Sequence, residues 1–216
     1  MMINILKTST VSFILVLNLC FTQEKKTNTI TFTIVDKVLI NNTCTKLLIT
    51  NNSSSNYYLP ILNDPESKKW NFILPTDETG FFFIHQIMYN LNNEKLSWIE
   101  NNCFDGSVSK SFSDFDEKWK QKKKDLRIED LILLKAGQSK YINVPVNLHV
   151  EFSDNCFWEI KDYKNEKELK ITYYYRKKQV QSAAIFLNSK IVDKLKKLNY
   201  KLYEKEIESN QVKLIF

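Results

Sequence analysis

Glycine and proline are scarce in this 216-residue chain, at 3 and 4. Histidine occurs twice, as His85 and His149, and arginine twice, as Arg127 and Arg176. Alanine is confined to Ala136, Ala183 and Ala184. Each shortage excludes something. Phosphate-cradling loops need clustered glycines so that backbone N–H groups can approach the ligand. Gly80, Gly106 and Gly137 are isolated, so no such loop exists. A zinc-protease helix needs two histidines four apart, whereas His85 and His149 are 149 − 85 = 64 positions apart. Gly-x-Ser-x-Gly, CxxC and CxH do not occur, which removes the familiar serine-hydrolase elbow and zinc spacings. No mature membrane span is expected either, because the chain has no uncharged apolar run of about 18 residues.

What is present is ordinary globular material, 43% hydrophobic and 26% charged. Basic residues number 31, of which 31 − 2 = 29 are lysine, and the net charge is +6. Lys, Asn, Ile, Phe and Tyr have AT-rich codons, so the skew reads as genome bias. Base-edge readout leans on arginine forks and phosphate contact on clustered charge. Here Lys and Glu are interspersed, as in Lys164-Asn165-Glu166-Lys167-Glu168, and no nucleic-acid partner is expected.

The N-terminus reads as an export signal covering residues 1–22. Lys7 supplies positive charge, and Val11 to Leu19 form a nine-position apolar run, too short to span a bilayer. Cleavage after Thr22 would leave Gln23 first and a mature charge of +6 − 1 = +5. Cys20 offers an alternative, because Leu17-Asn18-Leu19-Cys20 has the position of a bacterial lipoprotein signal, though not its small residues. Lipid attachment at Cys20 and simple cleavage both remain open. The expected location is exported, periplasmic or extracellular.

Export permits disulfides. Cys44, Cys103 and Cys156 remain in the mature chain, enough for one bridge. Asn102-Cys103-Phe104 echoes Asn155-Cys156-Phe157, both in polar, turn-like settings, so Cys103 and Cys156 are the expected pair. Closing that loop of 156 − 103 = 53 positions stabilises by about 4 kcal/mol at most. Cys44 is expected to be a buried free thiol at the entry to a strand.

Residues 23–216 read as one domain, mainly β. Strands are predicted at 30–35, 45–50, 57–61, 70–74, 81–88, 131–134, 141–146 and 168–175, from β-branched, aromatic and alternating residues. Turn clusters separate them, among them Asn51 to Asn56 and Lys135-Ala136-Gly137-Gln138-Ser139. A helical insertion is predicted near 111–127, with Ser113 as cap, Asp114 and Asp116 in its first turn and a basic run from Lys118 to Lys124. A basic amphipathic helix can also touch membranes. A second, short helix is predicted from Ser189 to Leu198, capped by Ser189, and then a terminal hairpin of Tyr200 to Ile207 with Val212 to Phe216. Many short strands with turns between them point to an antiparallel sandwich.

Several stretches carry a resemblance. They are Lys46 to Ser53 leading into Tyr58-Leu59-Pro60, Leu133 to Ser139 followed by Ile142 to Pro145, Ile171 to Tyr175, and Glu208 to Leu214. In order, they resemble strands of uncharacterised exported bacterial immunoglobulin-like proteins. The resemblance implies an immunoglobulin-like β-sandwich and carries no catalytic residue. The antibody Cys…Trp…Cys spacing is absent, and the middle insertion departs from the plan.

Few residues invite chemistry. His85 sits among Phe83, Ile84 and Ile87 and reads as a half-buried core residue. His149, near Cys156, is the one His/Cys combination that could activate a nucleophile or hold a metal. Gly106-Ser107-Val108-Ser109 reads as a structural turn. Aromatic side chains are the other candidates. Phe81-Phe82-Phe83 and Tyr173-Tyr174-Tyr175 alternate in strands, so each must turn at least one ring to each face. Asn41-Asn42-Thr43 and Asn51-Asn52-Ser53 are glycosylation sequons, relevant only in a eukaryotic secretory route. The expectation is an exported, non-catalytic binding or structural module with no cofactor or metal. Its partner would be a protein or glycan of the cell envelope. The alternatives are an envelope hydrolase using His149 or Cys156, and a lipid-anchored surface protein.

Overall fold

The computed structural model describes residues 29–62, 84–101, 117, 121, 124–153, 156–166, 168–177 and 187–215. The expected export signal, Cys20, Cys103, the strand predicted at 70–74, Phe81 to Phe83, Asp114 and Asp116 lie outside them. The described residues are mainly β, as the alternation predicts, with their strands in four sheets.

In the first sheet, β1 (Ile30–Ile34), β3 (Thr43–Asn51) and β8 (Ser139–Val146) run in the order β1-β3-β8, all antiparallel. Alternation sets its faces. Thr45, Leu47, Ile49 and Asn51 are buried, while Cys44 and Lys46 point outward. Cys44 is therefore exposed, a correction to the buried position expected of it, and it is a free thiol. A strand entry fixes no parity; the pairing of Cys44 with Pro145 does.

The second sheet is built around β11 (Leu169–Tyr175). On one side lies β5 (His85–Tyr89). On the other lie β13 (Ile207–Glu208) and β14 (Val212–Ile215), with β2 (Val38–Ile40) parallel to β14 at the edge. This corrects the predicted terminal hairpin. β13 and β14 do not pair with each other; both lie along the same side of β11. The break between them stays bonded to β11. The Ser209 N–H donates to the Tyr173 carbonyl at 2.9 Å, and the Tyr173 N–H donates to Ser209 Oγ at 2.9 Å. Asn210 turns its side chain to the first sheet, accepting the Ile34 N–H at 2.7 Å and donating to the Ile34 carbonyl at 3.3 Å.

The third sheet has the order β12 (Tyr200–Leu202), β4 (Asn56–Leu62), β7 (Leu131–Leu134), with β12 parallel to β4. The architecture is thus mixed rather than purely antiparallel. Pro60 interrupts β4, and its register with β7 shifts between Leu59 and Leu62, as a residue without an N–H demands. The fourth sheet has the order β6 (Trp98–Asn101), β10 (Cys156–Ile160), β9 (His149–Ser153).

Helix α1 (Ser189–Lys197) starts one residue earlier than predicted, because Asn188 is the cap. The Ile191 N–H donates to Asn188 Oδ1 at 2.9 Å. Glu117, Gln121, Lys124 and Asp125 are helical, inside the predicted insertion. Ile191 and Leu195 of α1 pack with Tyr58, Leu126, Ile128, Leu131 and Leu187 in a cluster of their own.

The main core draws on all four sheets. Phe32 and Ile34 (β1), Leu47 and Ile49 (β3), Val144 (β8), Leu59 (β4), Leu134 (β7), Ile160 (β10) and Ile171, Tyr173 and Tyr175 (β11) are buried in one cluster. Phe32 meets Tyr175 edge to face at 6.4 Å, joining the first sheet to the second.

Candidate binding face

The parity of β11 divides the tyrosine triplet. Tyr173 and Tyr175 point into the core, with Leu169 and Ile171. Tyr173 donates its hydroxyl to the Pro145 carbonyl at 2.6 Å, and Tyr175 donates to the Tyr203 carbonyl at 2.9 Å. Burial pushes both phenols well above their ordinary value. Tyr174 points the other way, with Lys170 and Thr172, onto the outer face of the sheet.

That face is organised around β11. Across it stand His85, Ile87 and Tyr89 of β5, opposite Tyr174, Thr172 and Lys170 respectively. On the other side Glu208 stands opposite Tyr174. Tyr89 and Glu208 are thus on strands that do not touch. Even so, the Tyr89 hydroxyl donates to Glu208 Oε1 at 3.3 Å. The Tyr89 side chain therefore crosses over β11, above Thr172, whose exposure is 0%. A partly exposed phenol ring is laid across the middle of the sheet. Tyr174 stands at its end, with the Arg176 guanidinium 5.7 Å from the ring centroid.

Charge tunes both rings. Partial burial raises the Tyr89 phenol, and the Glu208 carboxylate raises it further. Partial burial likewise raises Tyr174, helped by a hydrogen bond and the charge of Glu206. Both stay neutral hydroxyl donors at physiological pH. Lys170 donates to Asn93 Oδ1 at 3.1 Å, and Lys213 is paired with Glu168 at 2.7 Å, which fixes the flank of the face. Aromatic faces, two carboxylate acceptors and one guanidinium donor stand together on a regular sheet. They can stack on a flat apolar surface and exchange charged hydrogen bonds at its edges. They include no nucleophile paired with a base.

The other candidates are placed elsewhere. His149 stands opposite Glu159 on β10, its Nδ1 3.7 Å from Glu159 Oε2, and its ring lies 4.7 Å from that of Phe157. A carboxylate that orients a histidine base would sit within hydrogen-bond reach, and 3.7 Å is longer than that. Cys156 does not supply the nucleophile. It is fully buried and disulfide-bonded, so it offers no thiolate, and it pairs with Ser153 across a bulge. Since Cys44 is free, the partner of Cys156 lies outside the described residues. Among the described residues, no group of three His, Cys, Asp or Glu could hold a metal ion. The sequon at Asn51 is inaccessible, because that side chain is 0% exposed.

Sequence reasoning singled out Tyr173-Tyr174-Tyr175 but missed Tyr89, Arg176, Glu206 and Glu208. Strand parity could have put Tyr174 outside. The meeting of Tyr89 with Glu208 depends on a pairing of segments 119 positions apart and has no local signal. Compared with known protein families, with curated proteins and with solved structures, the chain matches none.

Proposed function

We propose that the protein is an exported, non-catalytic binding module on an immunoglobulin-like sandwich, and that the outer face carrying Tyr89 and Tyr174 is its recognition surface. The observation that carries this is the Tyr89–Glu208 crossing beside Tyr174 and Arg176. Partly exposed rings held by neighbouring charges on a rigid sheet are what a binding site needs and what a solvated strand does not.

Strand order supports the sandwich. The neighbours β1-β3-β8 correspond to strands A, B and E of the immunoglobulin plan, and β5-β11-β13/β14 to C, F and G. The disulfide of Cys156 supports export, because disulfides persist in oxidising compartments. Cys103 is its proposed partner. Residues 1–22 are the proposed signal, with acylation of Cys20 as the alternative, and mass spectrometry of the mature N-terminus separates the two.

Capture by the immobilised protein, from an envelope fraction and from a glycan panel, tests the reading. The wild-type chain should retain a ligand that the Tyr89→Ala/Tyr174→Ala variant loses while remaining folded. Equal retention by both would overturn it. A second reading, an envelope hydrolase, is favoured only by the approach of His149 to Glu159. It requires turnover that His149→Ala abolishes and Tyr174→Ala leaves intact.

A further inference from the structure

Among the described residues, helix α1 is held to the body of the protein along one stripe. Ile191 and Leu195 are buried against Tyr58, Leu126, Ile128 and Leu131. Everything on the opposite side is exposed: Lys190, Asp193, Lys194, Lys196 and Lys197. Glu129 is bonded to Lys194 at 3.2 Å, Asp125 accepts from Gln121 at 2.7 Å, and Asp193 is the acid on the helix itself. At the C-terminal end of this lysine face Leu198 is 50% exposed.

We infer that the lysine face of α1, with the half-exposed Leu198 at its end, docks the protein on an anionic phospholipid surface. Charge complementarity carries the assignment. Lysine ammonium groups are compact point charges on flexible stems, suited to a diffuse field of lipid phosphates. The helix offers lysines and a flat, rigid mounting. Leu198 adds an apolar side chain that can enter the headgroup boundary while the lysines remain in water. This face is separate from the one that carries Tyr89 and Tyr174, so it would hold the module at a membrane without occupying its recognition surface.

Co-sedimentation of the mature chain with vesicles tests this. One set of vesicles is phosphatidylcholine alone and the other is three parts phosphatidylcholine to one part phosphatidylglycerol. The chain should sediment with the anionic vesicles at low salt, be released by high salt, and ignore the neutral ones. Each lysine near such a surface is worth about fivefold in affinity, so Lys190→Glu/Lys197→Glu should lose at least about tenfold. The milder Lys190→Gln/Lys197→Gln should lose less. These side chains are exposed, and far-ultraviolet circular dichroism checks that each variant is folded. Leu198→Ser should weaken the binding left at intermediate salt, and Tyr174→Ala should leave vesicle binding unchanged. Equal binding to neutral vesicles, or indifference to the lysine changes, overturns the proposal. Binding to soluble heparin or polyphosphate without binding to anionic vesicles also overturns it, by reassigning the face to a polyanion.

Discussion

Asn51 is a polar side chain at the end of an apolar strand, and it is the tie between two turns. Its Nδ2 donates to the Ser55 carbonyl at 2.8 Å, the Lys135 carbonyl at 2.9 Å and the Leu134 carbonyl at 3.3 Å. Its Oδ1 accepts from the Ser53 N–H and hydroxyl. Read along the chain, Asn51 belongs to a polar cluster and looks like a surface turn. Only the folded pairing shows that its amide serves carbonyls 83 and 84 positions away. Asn51→Asp would set a carboxylate against those carbonyls, and Asn51→Ala would leave them unpaired. Both should lower unfolding stability by roughly 2–4 kcal/mol in urea titrations, the aspartate at neutral pH by at least as much as the alanine. The core tyrosines give a pH signature of known sign. Tyr173 and Tyr175 are raised above the ordinary value of 10.0, chiefly by burial. Below that value neither state is ionised and their contribution is complete. Above it the unfolded chain loses the phenol protons and the folded chain keeps them, so stability should fall steadily. Urea midpoints measured from pH 8 upward check this, and a flat profile beyond pH 10 would contradict it.

At the scale of elements, the shortage of glycine is met by asparagine. Gly137 takes φ +70° in the turn before β8, where its Cα hydrogen costs nothing. Asn42, Asn93, Asp162 and Asn199 take φ values of 56–61° at other turns. Asn and Asp tolerate this region better than other side chains. Asn199, just past the C-terminus of α1, is the clearest case. Asn199→Gly should leave the melting temperature nearly unchanged, whereas Asn199→Ala should cost about 1 kcal/mol. Strand legibility follows the same local logic. β3, β8 and β11 each have enough alternating positions to declare an inner and an outer face, and the sequence shows it. β2 and β12 have three residues each, too few for a period, and both pair in parallel with distant segments. The hairpin prediction failed because a Glu-Ser-Asn-Gln turn looks like a reversal. Here Ser209 holds on to β11 and Asn210 reaches Ile34, so the chain runs straight on.

At the scale of the whole molecule, the first and second sheets turn different outer faces to solvent. One is the Tyr89–Tyr174 face of the second sheet. The other belongs to the first sheet and carries Cys44, Lys46 and Tyr141, the last 61% exposed. Tyr141 is more exposed than Tyr174, so exposure alone can be told apart from the proposed recognition. The mainly β class was legible from alternation alone, while the face was not, because its members come from three separate segments of the chain. The most direct test places a photoreactive phenylalanine analogue at Tyr174 in one version of the chain and at Tyr141 in another, and irradiates each in the native envelope. The account predicts a discrete cross-linked species from position 174, competed away by unlabelled wild-type protein, and none from position 141. The same species from both positions, or from position 141 alone, would contradict it.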